Sequence, residues 1–578
     1  MTLRIGNCSG FYGDRLSAMR EMLTGGPLDV LTGDYLAELT MLILGKDTMR
    51  DANLGYARTF VRQAEDCLGE ALERKVRIVS NAGGLNPAGL AEKLREVAQG
   101  LGLDPVIAHV EGDDLKHRAA DLGWDNALTA NAYLGGHGIA AALGAGADVV
   151  VTGRVTDASV VVGPAIWHHG WGTDAYDELA GAVVAGHILE CGTQAVGGNF
   201  SGFVELIADG RINPDVPLGF PLAEINADGS SVITKHPGTG GAVTVDTVTA
   251  QLLYEIQSSR YLGPDVTTHL DTIQLSDAGD DRVLISGVKG SPPPATLKVS
   301  LNELGGWRNS VELVVTGLHL KEKADWVRTQ LTAAMAADPP AVVDWSPIPD
   351  RIVDAATEEA ASARLRCTVL DPDMNKVGKA FTSAAVELAL GSYPGFTLTA
   401  PPAKPSPYGV FRPVYVDREL VSHVVVLADG TRIEAPEPAE TVAAVDTGVS
   451  LRPSPFPAPT DTITRRVPLG SFVHARSGDK GGDANLGLWV VNDGSPLHAE
   501  RVTWLTKLMN PRMVRELIPE AADLDIEVHV LPNLGGVNVL IRGLLGEGVA
   551  ASTRFDPQAK GLGEWVLSRL VNVEGRLL

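Results

Sequence analysis

Five short apolar runs, each closed by a polar turn and three of them followed by a helical pattern, dominate residues 3–157. LRIGN is the first, and RLSAMREML behind it reads as a helix. DVLTGDY, KVRIVSNAGG, PVIAHVEGDD and ADVVVTGRVTD are the others. Leu90, Leu94, Val97 and Leu101 recur at helical spacing behind the third run. Strands joined through helices run parallel, and a parallel sheet needs apolar cover on both faces. The expected class is α/β, a parallel sheet with helices on both faces. The alternation fades after residue 200, and five such units are too few for an eight-fold barrel, so an open sheet is expected.

All five strand ends carry the same chemistry: Asn7-Cys8-Ser9-Gly10, Thr32-Gly33-Asp34, Asn81-Ala82-Gly83-Gly84, Glu111-Gly112-Asp113-Asp114 and Thr152-Gly153-Arg154. In parallel folds the ligand crevice lies at the carboxyl ends of the strands, so these segments are expected to meet at one edge. Asp34, Glu111, Asp113 and Asp157 are then candidate acids or bases. Cys8, near a helix start, is a candidate nucleophile, set against the plain role of a buried thiol. Asn7, Ser9, Gly10, Asn81, Gly83 and Gly84 offer amides and N–H groups to an oxyanion. Arg154 is a carboxylate or phosphate clamp, or the structural partner of Asp157 three residues on.

Beyond residue 200, ITKHPGTGGAVT combines His236 with a glycine turn through Gly240 ahead of a helix, a geometry that can cradle an anion. GHILECG puts His187 and Glu190 on one helix face, a metal half-site without a second pair, so no metal centre is expected. Residues 451–467 are proline-rich and read as an extended linker. The preceding 1–450 form the main region, with subdomains 1–200 and 201–450. The remainder, 468–578, has the order ββαββα of a small α+β domain. Its first turn crowds Arg476, Asp479, Lys480 and Asn485 around glycines, and such a turn can grip a carboxylate or a CoA phosphate.

The formal net charge is −23, which repels phosphate backbones and argues against nucleic acid as a partner. The four cysteines are scattered, so neither zinc nor a disulfide framework is expected. No signal peptide or apolar run of membrane-spanning length stands out, and a cytoplasmic location is expected.

IGNCSGFYGDR, DVLTGDYLAELTM, NAGGLNP, GADVVVTGRVTDAS, ITKHPGTGGAVT and HARSGDKGGDANLG together resemble the AtuA family, named for bacterial utilisation of acyclic terpenes such as citronellol and geraniol. The resemblance spans nearly the whole chain. It implies a large N-terminal region, a C-terminal ferredoxin-like domain and a place among branched acyl-CoA thioesters.

Two functions follow. One is an enzyme with lyase, hydratase or hydrolase chemistry on an acyl thioester; CoA is then part of the substrate. The other is a non-catalytic subunit that holds acyl intermediates. The sequence fixes no cofactor, although paired carboxylates are the type of group that holds Mg²⁺. Nicotinamide chemistry is disfavoured, because no GxGxxG follows the first strand. A homo-oligomer is expected, with the C-terminal turn completing the site.

Overall fold

A computed structural model describes residues 1–443 and 463–578. The chain divides into two compact units, one of Met1–Asn302, Phe411–Val549 and Asp556–Leu578, the other of Glu303–Val410 and Ala550–Phe555. This division cuts across the expected subdomains 1–200 and 201–450.

The five expected strands form the centre of an eleven-stranded sheet in the first unit. They are β1 (Leu3–Asn7), β2 (Val30–Gly33), β3 (Arg77–Ser80), β4 (Ile107–Glu111) and β5 (Val149–Thr152). Their spatial order is β1-β2-β3-β5-β4, and every neighbouring pair is parallel. The whole sheet is mixed, with antiparallel strands on either side of the expected parallel centre. Pro221–Ile225 pairs antiparallel with β1, and Val424–Val426 pairs antiparallel with β4. Their own neighbours are also antiparallel: Ser231–Lys235 beside the first and Arg432–Glu434 beside the second. Each of these two pairs is joined by a turn too short for a crossover helix.

Successive residues of the central strands serve opposite faces. Leu31, Ile78 and Val151 join the cluster that holds Met22, Phe60 and Leu94 from helices Ala18–Gly25, Arg58–Arg74 and Pro87–Leu101. Val30, Val79 and Val150 join the other, with Ile139, Val161 and Val184 from helices His137–Gly144, Ser159–His169 and Tyr176–Leu189. Helices therefore cover both faces, as the apolar runs require.

The carboxyl-terminal part of the same unit is a four-stranded antiparallel sheet. Its order is Val473–Lys480, Asp483–Val490, Gly536–Ile541, Ile526–Leu531. Helices His498–Leu508, Pro511–Leu517 and Leu562–Ser568 pack with it around Leu486, Leu505, Val514 and Val566. Of the expected linker, residues 451–462 lie outside the described residues. Thr464–Pro468 is a strand paired with Leu570–Glu574.

In the second unit, Ser362–Asp371 runs antiparallel to 307–316, and helices Leu320–Ala334 and Lys379–Glu387 supply Leu331 and Phe381 to its own core.

Candidate functional site

The crevice opens at the carboxyl ends of β1, β2 and β5. Gly10, past β1, lies so near Cys191 that a Cβ there would stand 2.7 Å from the Cys191 carbonyl carbon. Glycine at this position lets the β1 loop approach the end of helix Tyr176–Leu189. Asn7, buried beneath, fastens the same junction by donating from Nδ2 to the Leu189 carbonyl at 2.6 Å. The result is a cavity of about 630 Å³ lined by Gly10, Asp34, Arg154, Asp157, Glu190 and Cys191 from the α/β region. Tyr254, Glu255 and Lys298 add to its wall. Asp479, Lys480 and Lys560 come from the C-terminal sheet and its helix approach, within the same chain.

Carboxylates outnumber cations in this lining, and burial sorts them. Asp34 is buried beside Asp157 and Glu190, and desolvation followed by their charge pushes its carboxyl well above the usual range. Asn81 Nδ2, donating at 2.6 Å, opposes that shift. Burial raises Glu190 to about 7, against the pull of His187, whose Nδ1 lies 3.1 Å from Glu190 Oε1. Glu190 Oε2 is buried with no hydrogen-bond partner among the described residues. Asp479 is raised to about 7 by burial and by Glu255. Glu255 behaves oppositely: burial alone would raise it, but Lys560 and Lys480 hold it below the ordinary glutamate value. Lys560 Nζ lies 3.3 Å from Glu255 Oε1 and 3.6 Å from Asp479 Oδ1.

Arg154 is buried, yet Asp157, Tyr133 and Asp34 keep it charged. Its Nη2 donates to Asp157 at 2.8 Å, its Nη1 to the Leu36 carbonyl at 3.0 Å, and its guanidinium lies 4.1 Å from the Tyr133 ring centroid. Lys480 makes no hydrogen bond or ion pair through its ammonium among the described residues and acts on Glu255 through its charge alone.

A second chamber of about 150 Å³ adjoins the first. Leu262, Pro264, Pro294, Leu297 and Tyr415 give it an apolar character. Tyr133, Asp157, Lys298 and Lys480 line both spaces and mark their junction.

Several sequence candidates stand outside the lining. Cys8 is buried in the core, and its thiol is raised by burial and by Asp14, so a nucleophilic role does not fit. Ser9 is buried and spends its hydroxyl on the Phe11 carbonyl at 3.0 Å. Asn81 backs Asp34 and accepts from Tyr35 N at 2.8 Å. At Gly83 a Cβ would stand 2.4 Å from the Thr152 carbonyl oxygen, and Gly84 has φ +54, so both glycines serve the chain path ahead of the Asn86 helix cap. Glu111 ends β4, farther along the sheet, and pairs with Arg432 at 2.7 Å. Asp113, weighed with it as an acid or base, is buried and accepts from Arg154 N at 2.9 Å and Asn131 Nδ2 at 2.8 Å.

The glycine turn is likewise not an anion cradle. His236 Nε2 lies 3.0 Å from the Met22 carbonyl oxygen. A Cβ at Gly240 would stand 2.4 Å from the Pro217 carbonyl oxygen. Asp281 already accepts from Val243 N at 2.9 Å, and the Thr244–Thr247 capping box satisfies the helix start. In the C-terminal turn, Arg476 is a strut: Nη1 donates to the Asn199 carbonyl at 2.7 Å, and Nη2 to Gln194. Asn485 is fully buried and accepts from Glu255 N at 2.8 Å.

Glu255, Tyr254, Tyr133, Lys298 and Lys560 were not singled out in the sequence. In the sequence Glu190 stands out only as half of a metal pair with His187. No group of three or more His, Cys, Asp or Glu among the described residues is arranged to hold a metal, and no described helix is long and apolar enough to cross a membrane.

No curated protein and no solved structure matches the chain. The family model for the AtuA ferredoxin-like domain matches residues 467–572, the four-stranded domain that supplies Asp479, Lys480 and Lys560. The model for the acyclic terpene utilisation family protein AtuA matches residues 3–427, which hold the parallel strands and the remaining wall of the cavity, and the chain belongs to that family.

Proposed function

We propose that the protein is an enzyme of acyclic terpene or branched-chain acyl metabolism, acting on an acyl thioester by hydratase or lyase chemistry. Family membership supports the terpene role. The observation that carries the chemistry is the junction of an acid-rich chamber with an apolar one, at Lys480 and Lys298.

Adding or removing water across a carbon–carbon bond beside a thioester needs three things. A base takes the α-proton, an acid serves the β-hydroxyl, and cations stabilise the enolate oxygen. The apolar chamber suits the branched chain. Lys480 and Lys298 suit the carbonyl oxygen at the junction. Glu190, raised to about 7, and Asp34, pushed up by burial, suit the acid, and the unpartnered Glu190 Oε2 is free to meet a hydroxyl.

The test is a panel of branched enoyl and 3-hydroxyacyl thioesters, with calorimetric binding measured alongside. Turnover with water exchange at the β-carbon is expected. Tight binding without turnover would favour a carrier role, and the absence of both would end the thioester reading.

A further inference from the structure

We propose that Glu255 is the catalytic base of this cavity, and that a pair of buried asparagines from the ferredoxin-like domain, Asn485 and Asn538, positions it. The inference rests on the thioester reading and goes beyond it by naming the base and the device that aims it.

Glu255 has φ +56, a left-handed backbone that is unfavourable for a glutamate and persists only where the surroundings over-determine it. Helix Val245–Leu252 ends just before it, so the turn sends the Glu255 side chain into the cavity wall instead of along the helix. The surroundings come from the C-terminal sheet. Asn485 Oδ1 accepts from Glu255 N at 2.8 Å, and Asn485 Nδ2 donates to the Leu253 carbonyl at 3.3 Å. Asn538 Nδ2 reaches the Ile256 and Gln257 carbonyls at 3.3 and 3.4 Å. The two carboxamides also bond to each other, and both are fully buried. Four of the five residues 253–257 are thus gripped from the ferredoxin-like domain.

The close approach is built into the sequence. A Cβ at Gly487 would stand 2.5 Å from Leu253 Cβ, and one at Gly478 would stand 2.5 Å from the Tyr254 ring. The cavity wall contains a second left-handed residue, Asn199 at φ +54, and the same domain holds it through Arg476. Both strained residues of the wall are therefore held by the ferredoxin-like domain.

The chemistry is consistent with a base. Lys560 and Lys480 favour the ionised form of Glu255, while burial raises Glu190 to about 7 and pushes Asp34 up nearby. Neighbouring carboxyls with pKa values pushed apart divide acid and base roles. In the forward elimination, the Glu255 carboxylate takes the α-proton and the C–O bond to the β-hydroxyl breaks. A protonated carboxyl donates to the departing oxygen, and water leaves.

The test uses the full chain with Glu255→Gln and Asn485→Ala. Glu255→Gln is expected to lower kcat by about 10²–10⁴-fold with little change in KM. Asn485→Ala is expected to lower kcat by on the order of 10²-fold, again without a matching change in KM, and to move the acidic limb of the pH profile upward as Glu255 leaves its cations. Amide hydrogen exchange at 253–257 should accelerate in Asn485→Ala while the rest of the sheet stays protected. Full turnover by Glu255→Gln, or exchange at 253–257 unchanged in a folded Asn485→Ala, would overturn the proposal. If Asn485→Ala does not fold, Asn538→Ala supplies the exchange readout from the other side of the pair. Exchange needs no substrate, so a parent protein inert on every thioester sinks the functional reading while the clamp is still decided.

Discussion

Asn81 Nδ2 donates to Asp34 Oδ1 at 2.6 Å, linking the end of β3 to the end of β2. Its carboxamide oxygen accepts from Tyr35 N, so one buried side chain fixes both the carboxyl and the backbone beside it. Asn81→Ala leaves a buried N–H and a buried carboxyl without this partner. The expected cost is about 1–3 kcal/mol, read by urea unfolding. Because the lost bond favoured the ionised form, Asp34 should titrate still higher, and any activity limb it controls should move up in pH. Unchanged stability and an unchanged profile would mean that Asn81 is a spectator.

The sequence reading reached the five parallel strands because each is an apolar run with helices to cover it, and Asp34 and Arg154 because they close two of those strands. It overreached at Glu111, since strand order is not written in strand spacing. The order β1-β2-β3-β5-β4 sets β4 beyond β5, beside Val424–Val426, away from the crevice at β1 and β2. Asn7 and Cys8 sit at a strand end but point into packed interior. Glu255 was hidden because a left-handed glutamate has no sequence signature: QLLYEIQ reads as a continuing helix, and the asparagines that bend it lie hundreds of residues away. Lys298 and Lys560 are isolated cations in sequence, given meaning only by what surrounds them.

Asp113 offers a pH test separate from catalysis. Burial raises its carboxyl to about 7, against hydrogen bonds from Arg154 N and Asn131. A carboxyl raised in the folded state binds more protons folded than unfolded between the two pKa values. Its contribution to stability is then greatest at low pH and is lost as pH rises from the unfolded value of 3.8 through about 7. Asp113→Asn removes that dependence. The variant should gain on the parent by a few kcal/mol, order of magnitude, across this window, with no further gain above it. Denaturant melts at several pH values read the difference, and a difference independent of pH would contradict the assignment.

Arg476 and Lys480 stand four residues apart on one strand and should separate cleanly. Arg476 is committed to Asn199, Gln194 and the Tyr254 ring, so Arg476→Ala is expected to cost on the order of 3 kcal/mol in stability. Lys480 makes no direct ion pair and acts on Glu255 through its charge alone, so Lys480→Ala should move the thermal midpoint far less than Arg476→Ala while thioester affinity falls about tenfold or more. The reverse pattern, an unstable Lys480→Ala with full affinity, would remove the ammonium from the junction.

The size of the apolar chamber should set which chains are accepted. Leu262 lines it from a short strand and is 41% exposed, so a larger side chain there can be accommodated without disturbing a packed core. Leu262→Trp is expected to fill part of the chamber. Each methylene kept out of apolar cover forfeits about 0.8 kcal/mol, so losing two costs about tenfold in affinity. Longer branched acyl thioesters should therefore lose affinity, while short ones, which end at the Lys480–Lys298 junction, should bind as before. A side-by-side titration of the two chain lengths measures this. Equal losses for both would mean that the substitution disturbs the junction, and no loss for either would mean that the chain lies elsewhere. Only the selective loss ties the chamber to the acyl tail, and it does so without knowledge of the chemical step.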